Sequence, residues 1–140
     1  MIKQRDSREM ALKFLFCQDL SEPTEDVLSL RSKLTKFQQS FKAQEPVWKF
    51  TFEILEVLEQ NKSSIDEKIQ SNLVGWTLDR ISITDRNILR IALAEMFYLD
   101  TPPKAVINEA IELTKKYSTK ESASFVNGLL DKVLNTSEPS

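Results

Sequence analysis

Lys104–Leu134, KAVINEAIELTKKYSTKESASFVNGLLDKVL, is the stretch that decides the fold. Ile107, Ala110, Ile111, Thr114 and Tyr117 recur at intervals of three and four, which lays one stripe along the side of a helix. Pro102 and Pro103 start that helix, where a missing backbone N–H does no harm. Its other face carries Glu109, Glu112 and Lys116, and it reads as solvated, with Glu112 placed four residues before Lys116 in the order that favours a helix. After a break at Ser118-Thr119, Val126, Leu129, Leu130 and Val133 form a second stripe, with Lys120, Ser124, Asn127 and Asp131 on the opposite side. Gly128 interrupts this second helix. An interior glycine costs about 1 kcal/mol against alanine, so it points with equal weight to close approach by a backbone or ligand and to a tolerant position.

The same spacing extends through the rest of the chain. Two glycines, five prolines and no alternating apolar runs argue for an all-α protein. Asp6, with Glu9 three residues on, caps a first helix that runs to about Asp19. Ser21-Glu22-Pro23-Thr24 then makes a turn. Val27, Leu30, Leu34, Phe37 and Phe41 mark a second helix, and Pro46 opens a third with Val47, Phe50, Ile54, Val57 and Leu58 facing inward. Ser64 and Glu67 cap a short fourth helix carrying Ile65, Ile69 and Leu73, and Thr84 caps another through about Tyr98. The expectation is a compact bundle of about seven helices, built as two antiparallel sub-bundles, in one domain over residues 1–140 that frays after about Asn135.

Composition narrows the chemistry. A chain of 140 residues can bury a core without metal or disulfide support. Cys17 has no partner for a disulfide and reads as a small core residue; histidine is absent, so neither a zinc site nor any cofactor is expected. Without histidine, a phosphate-cradling glycine loop or a nucleophile elbow, the usual activated nucleophiles lack companions, and the chain reads as a binder with no enzymatic reaction. No stretch reaches the length of a membrane span, which points to a soluble cytoplasmic protein. Nineteen Lys and Arg against 21 Asp and Glu give a net charge of −2, so any nucleic-acid site must be local.

Several segments match a known pattern in order and separation. Ala105–Leu113 (AVINEAIEL) and Phe125–Asp131 (FVNGLLD) resemble two motifs of the bacterial transcription antitermination protein NusB family, Trp76–Arg80 with Asp85–Ala92 resembles a third, and Ser7–Leu12 is similar to a fourth. From about Glu22 to Leu73 the likeness is one of helical character only. The resemblance implies an RNA-binding factor that, with the small-subunit ribosomal protein NusE, recognises boxA-like single-stranded RNA and acts on RNA polymerase within an antitermination complex on ribosomal RNA operons. A NusB-like domain also precedes certain ribosomal RNA cytosine methyltransferases, but this chain has no room for one.

The family pattern suggests where the two ligands sit. For RNA it implies the basic N-terminus, Lys3, Arg5 and Arg8, together with Lys115, Lys116, Lys120, Glu121 and Phe125 around the start of the last helix. Gln4 and Asp6 dilute the basic run, and Phe125 could stack on a base or plug the core. The lysines form a site only if they converge with Arg5 and Arg8. For NusE, the first helix has a second apolar stripe of Leu12, Phe16 and Leu20, which the resemblance turns from central burial towards a partner surface, and Phe16 falls at an aromatic position of it. Asp85, Arg86, Arg90, Leu93 and Phe97 add a mixed apolar and cationic patch of the kind enriched at interfaces. A helical adaptor that keeps the protein surface with little RNA affinity is the alternative. Dimerisation through the apolar surfaces stays open.

Overall fold

The computed structural model describes residues 2–20 and 29–137, and among these the side chains of all but residues 2, 3 and 137. Six α-helices carry the described fold: α1 (Ile2–Asp19), α2 (Leu30–Gln38), α3 (Glu45–Gln70), α4 (Ile83–Tyr98), α5 (Pro103–Tyr117) and α6 (Lys120–Ser137), with a single 3-10 turn at Leu78–Arg80 before α4. The Ser21–Thr24 turn and Val27 lie outside the described residues.

The expected third and fourth helices are joined as α3. The break falls at Asn61 (φ −125°, ψ 20°), three residues before the expected cap at Ser64, and the Asn61 side-chain amide donates to the Val57 carbonyl at 2.9 Å. Ser64 instead accepts a hydrogen bond from the Tyr98 hydroxyl at 3.1 Å, tying α3 to the end of α4. Two other caps are displaced. The first helix begins at Ile2, which places Asp6 inside it, and Ser82 rather than Thr84 caps α4, its Oγ accepting from the Asp85 N–H at 3.2 Å. Thr119 caps α6 in the same way, accepting from the Ser122 N–H at 3.0 Å.

α4 is the centre of the molecule. Every residue from Asn87 to Met96 is buried, and α1, α3, α5 and α6 all pack against it. Such a helix has no single apolar stripe because it has no solvent side. The core around it takes Ala11 and Phe14 from α1, Ile54, Leu55, Ile65 and Ile69 from α3, Val106 and Ala110 from α5, and Val126, Leu130 and Val133 from α6. α5 and α6, two residues apart in the chain, pack on one another, and α1 packs on α3 and α4 while its Arg5 and Glu9 side chains bond to α5. No helix among the described residues is long and apolar enough to cross a membrane.

Candidate functional site

Burial of charge on α4 governs the first half of the site. Glu95 is fully buried, and an isolated carboxylate there would be prohibitively expensive. Arg8 answers it: Nε and Nη2 donate to the two Glu95 oxygens at 2.6 and 2.8 Å, and Nη1 donates to Glu109 at 3.3 Å. The Arg8 side chain is 6 % exposed. Arg8, assigned to the RNA site by the resemblance, is therefore buried rather than open to a phosphate, its guanidinium committed to Glu95 and Glu109.

Arg5, one helical turn earlier, is on the surface. Its side chain is 59 % exposed, and it grips Glu109 through Nε at 3.0 Å and Nη2 at 2.7 Å. One turn later Glu9 accepts from Lys116 at 2.7 Å and from the Tyr117 hydroxyl. The Glu109–Lys116 face of α5, which reads as solvated in the sequence, is thus docked on α1, and Lys116 pairs with Glu9 rather than with Glu112. These bonds shift the acids. Arg5 donation holds Glu109 below the ordinary glutamate range against the opposing effect of burial. Burial works to raise Glu9, but donation from Lys116 and Tyr117 outweighs it and leaves Glu9 lowered too. Lys116 and Arg5 are raised in return, each chiefly by its hydrogen bond to the glutamate. Tyr117 is raised by burial and then by Glu9.

Between α1 and α5 these residues enclose a concavity of about 350 Å³, with Lys115 and Glu112 on its wall. Of the three lysines, Lys115 and Lys116 line it together with Arg5 and the buried Arg8. Lys120 and Glu121 are exposed in the first turn of α6 and do not line it; the Lys3 side chain lies outside the described residues. Phe125 neither fills the core nor stands free: half-buried, it packs against Trp76, ring centroids 5.4 Å apart at 51°. Trp76 carries no functional reading in the sequence beyond its motif, since its pairing with Phe125 spans 49 positions of chain and leaves no local signal.

A second, apolar groove of about 390 Å³ opens further along the same face of α1, since Phe16 lies one turn beyond Leu12 and Leu12 one turn beyond Glu9; it is lined by Leu12, Phe16, Cys17, Phe41, Thr84 and Tyr117 among others. The second stripe of α1 divides here. Leu12 is buried in the core, whereas Phe16 (43 % exposed) and Leu20 (63 %) remain on the surface. Cys17, expected in the core, is exposed. The patch expected on α4 is altered more deeply. Arg90 is buried, donating to Asp66 at 2.8 and 3.0 Å and to Asn87 at 3.2 Å, with Asn87 donating to Asp19 at 2.9 Å, so it fastens α3, α4 and α1 together instead of facing a partner. Leu93 is fully buried and Asp85 is buried, although Asp85 Oδ1 and Arg86 Nε have no hydrogen-bond partner among the described residues. Phe97 is half-buried beneath the Lys68 ammonium, 4.9 Å from its ring centroid.

The fold is a helical bundle around one buried helix, with an ion-paired concavity and an apolar groove following one another along α1. The family model that matches residues 5–135 is the NusB family, and the chain belongs to it. It is 39 % identical over 136 residues to the transcription antitermination protein NusB of Chloroherpeton thalassium, covering 96 % of this chain and 63 % of that protein's length. With the NusB of Anaeromyxobacter dehalogenans it shares 41 % identity over 138 residues, 95 % of this chain and 91 % of the relative. A solved structure of T. maritima NusB superposes with a TM-score of 0.80 at 30 % identity, covering 97 % of this chain and 93 % of that one. A complex of the antitermination factors NusB and NusE with dsRNA shares the fold, with a TM-score of 0.77 at 24 % identity over 97 % of this chain and 98 % of that one.

Proposed function

We propose that this chain is a transcription antitermination factor that binds boxA-like single-stranded RNA together with NusE, acting as a cytoplasmic binder with no reaction of its own. Residues 1–140 form the RNA-binding domain. The observation that carries the reading is the meeting of Arg5, Lys115 and Lys116 in one concavity of a NusB-family chain whose net charge offers phosphate no general attraction. Lys3, Lys120 and Phe125 extend the RNA path, Phe125 offering a ring for a base. NusE docks on the groove beside Phe16, with Asp85 and Arg86 at its α4 edge, next to Thr84. An adaptor with little RNA affinity is the second reading, favoured by the glutamate partners of Arg5 and Lys116.

Titrating labelled boxA-like RNA, alone and with saturating NusE, separates the two. RNA bound in the presence of NusE supports the factor. NusE bound without RNA uptake supports the adaptor.

A further inference from the structure

The α1–α5 concavity holds cations and carboxylates in balance. Arg5, Arg8, Lys115 and Lys116 face Glu9, Glu109 and Glu112, and Glu95 lies behind Arg8, so the surface as folded has no net charge to attract a phosphate. Two cations are held directly. Arg5 gives Nε and Nη2 to Glu109, and Lys116 gives its ammonium to Glu9. The buried Arg8–Glu95 pair fixes α1 against α4, and Arg8 also reaches Glu109, so the two acids lie beside cations whose helices are already positioned. A phosphate arriving at Arg5 or Lys116 must displace a carboxylate that is already hydrogen-bonded there.

We infer that Glu109 and Glu9 set the RNA affinity of this surface: each occupies a phosphate-binding cation until RNA exchanges with it. The inference rests on the RNA-binding reading above. The mask is shallow, because exposed ion pairs are weak and both cations are well exposed, 59 % for Arg5 and 60 % for Lys116. Apparent affinity falls in proportion to the fraction of competent cation, so each pair is expected to weaken RNA binding by about two- to fivefold. The exchange also makes binding selective. A ligand presenting one carboxylate gains nothing over the resident glutamate, whereas consecutive phosphates engage Arg5, Lys115 and Lys116 together.

Glu112 supplies the control, since it shares the concavity and acts on Arg5 through its charge, but among the described residues it makes no ion pair with either cation. Labelled single-stranded RNA is titrated by fluorescence anisotropy against the wild type, Glu109→Gln, Glu9→Gln and Glu112→Gln, with NusE present at saturation. Glu109→Gln and Glu9→Gln should each tighten binding about two- to fivefold, and Glu112→Gln, which removes the same charge without releasing a bonded cation, should do so less. In an Arg5→Ala background the gain from Glu109→Gln should vanish. Equal gains in all three variants would reduce the effect to general charge and overturn the inference, as would weaker binding by Glu109→Gln, which would make Glu109 a support for Arg5. Failure of the wild type and every variant to bind RNA would instead overturn the RNA-binding reading itself.

Discussion

Arg5 and Arg8 look equivalent in the sequence, three residues apart in a short basic run, and folding gives them opposite roles. Arg8→Ala would leave Glu95 charged and unpaired inside the bundle, a change that costs about 3–5 kcal/mol in comparable buried pairs. Arg5→Ala removes one exposed pair and should cost no more than about 1 kcal/mol. Urea unfolding of the two single variants checks this, and similar midpoints would show that the Arg8–Glu95 pair does not hold the structure. The two glycines make a parallel contrast. A Cβ added at Gly75 or at Gly128 would meet nothing within 4 Å, so packing does not separate them. Gly75 has φ +80°, where an L side chain is strained, and Gly75→Ala should destabilise by about 1–2 kcal/mol. Gly128 sits in helix α6 with open space before it, and Gly128→Ala should stabilise the free protein by about 0.5–1 kcal/mol. That open space removes close approach by the described residues as the reason for Gly128. Thermal melts moving in the same direction for both would refute the assignment.

At the scale of elements, α1 is divided lengthwise among three neighbours. Ala11 and Phe14 enter the core, Arg5 and Glu9 grip α5, and Phe16 faces the apolar groove. Emptying a core phenylalanine typically costs 3–5 kcal/mol, so Phe14→Ala should reach that range while Phe16→Ala, with 43 % of its surface already in water, should fall well below it. If Phe16 serves the NusE surface, its alanine variant loses NusE binding disproportionately to its melting temperature. A loss of stability matching that of Phe14→Ala would place it in the core instead. The kink in α3 shows why element boundaries are harder to read than elements. Ser64 and Glu67 have capping-box spacing, but the helix had already resumed after Asn61, whose own side chain takes up the Val57 carbonyl.

For the whole molecule, electrostatics link stability to binding. Glu9 and Glu109 have lowered values, so the stability they contribute is present above about 4.5, the ordinary glutamate value, and is lost as pH falls through their folded-state values. Lys116 is raised, so its contribution is complete below 10.5 and disappears only at higher pH. Unfolding free energy should therefore fall as pH drops below 4.5, and Glu9→Gln with Glu109→Gln should flatten that decline; an unchanged pH profile would remove both acids as its source. With three phosphate contacts from Arg5, Lys115 and Lys116, single-strand RNA binding should show a log–log salt slope of about −2, and NusE should tighten RNA by the same factor by which RNA tightens NusE. A slope much steeper than this would point to a larger basic surface elsewhere. The all-helical class, the α5–α6 pair and the family resemblance were legible in the chain, because three-and-four spacing and short motifs are local properties. The role of each charge was not. Whether Arg8 meets water or Glu95, whether Lys116 takes Glu112 or Glu9, and whether Cys17 and Leu12 face the core or the groove depend on which helices come together across up to 107 positions, and burial then penalises every charge left without a partner.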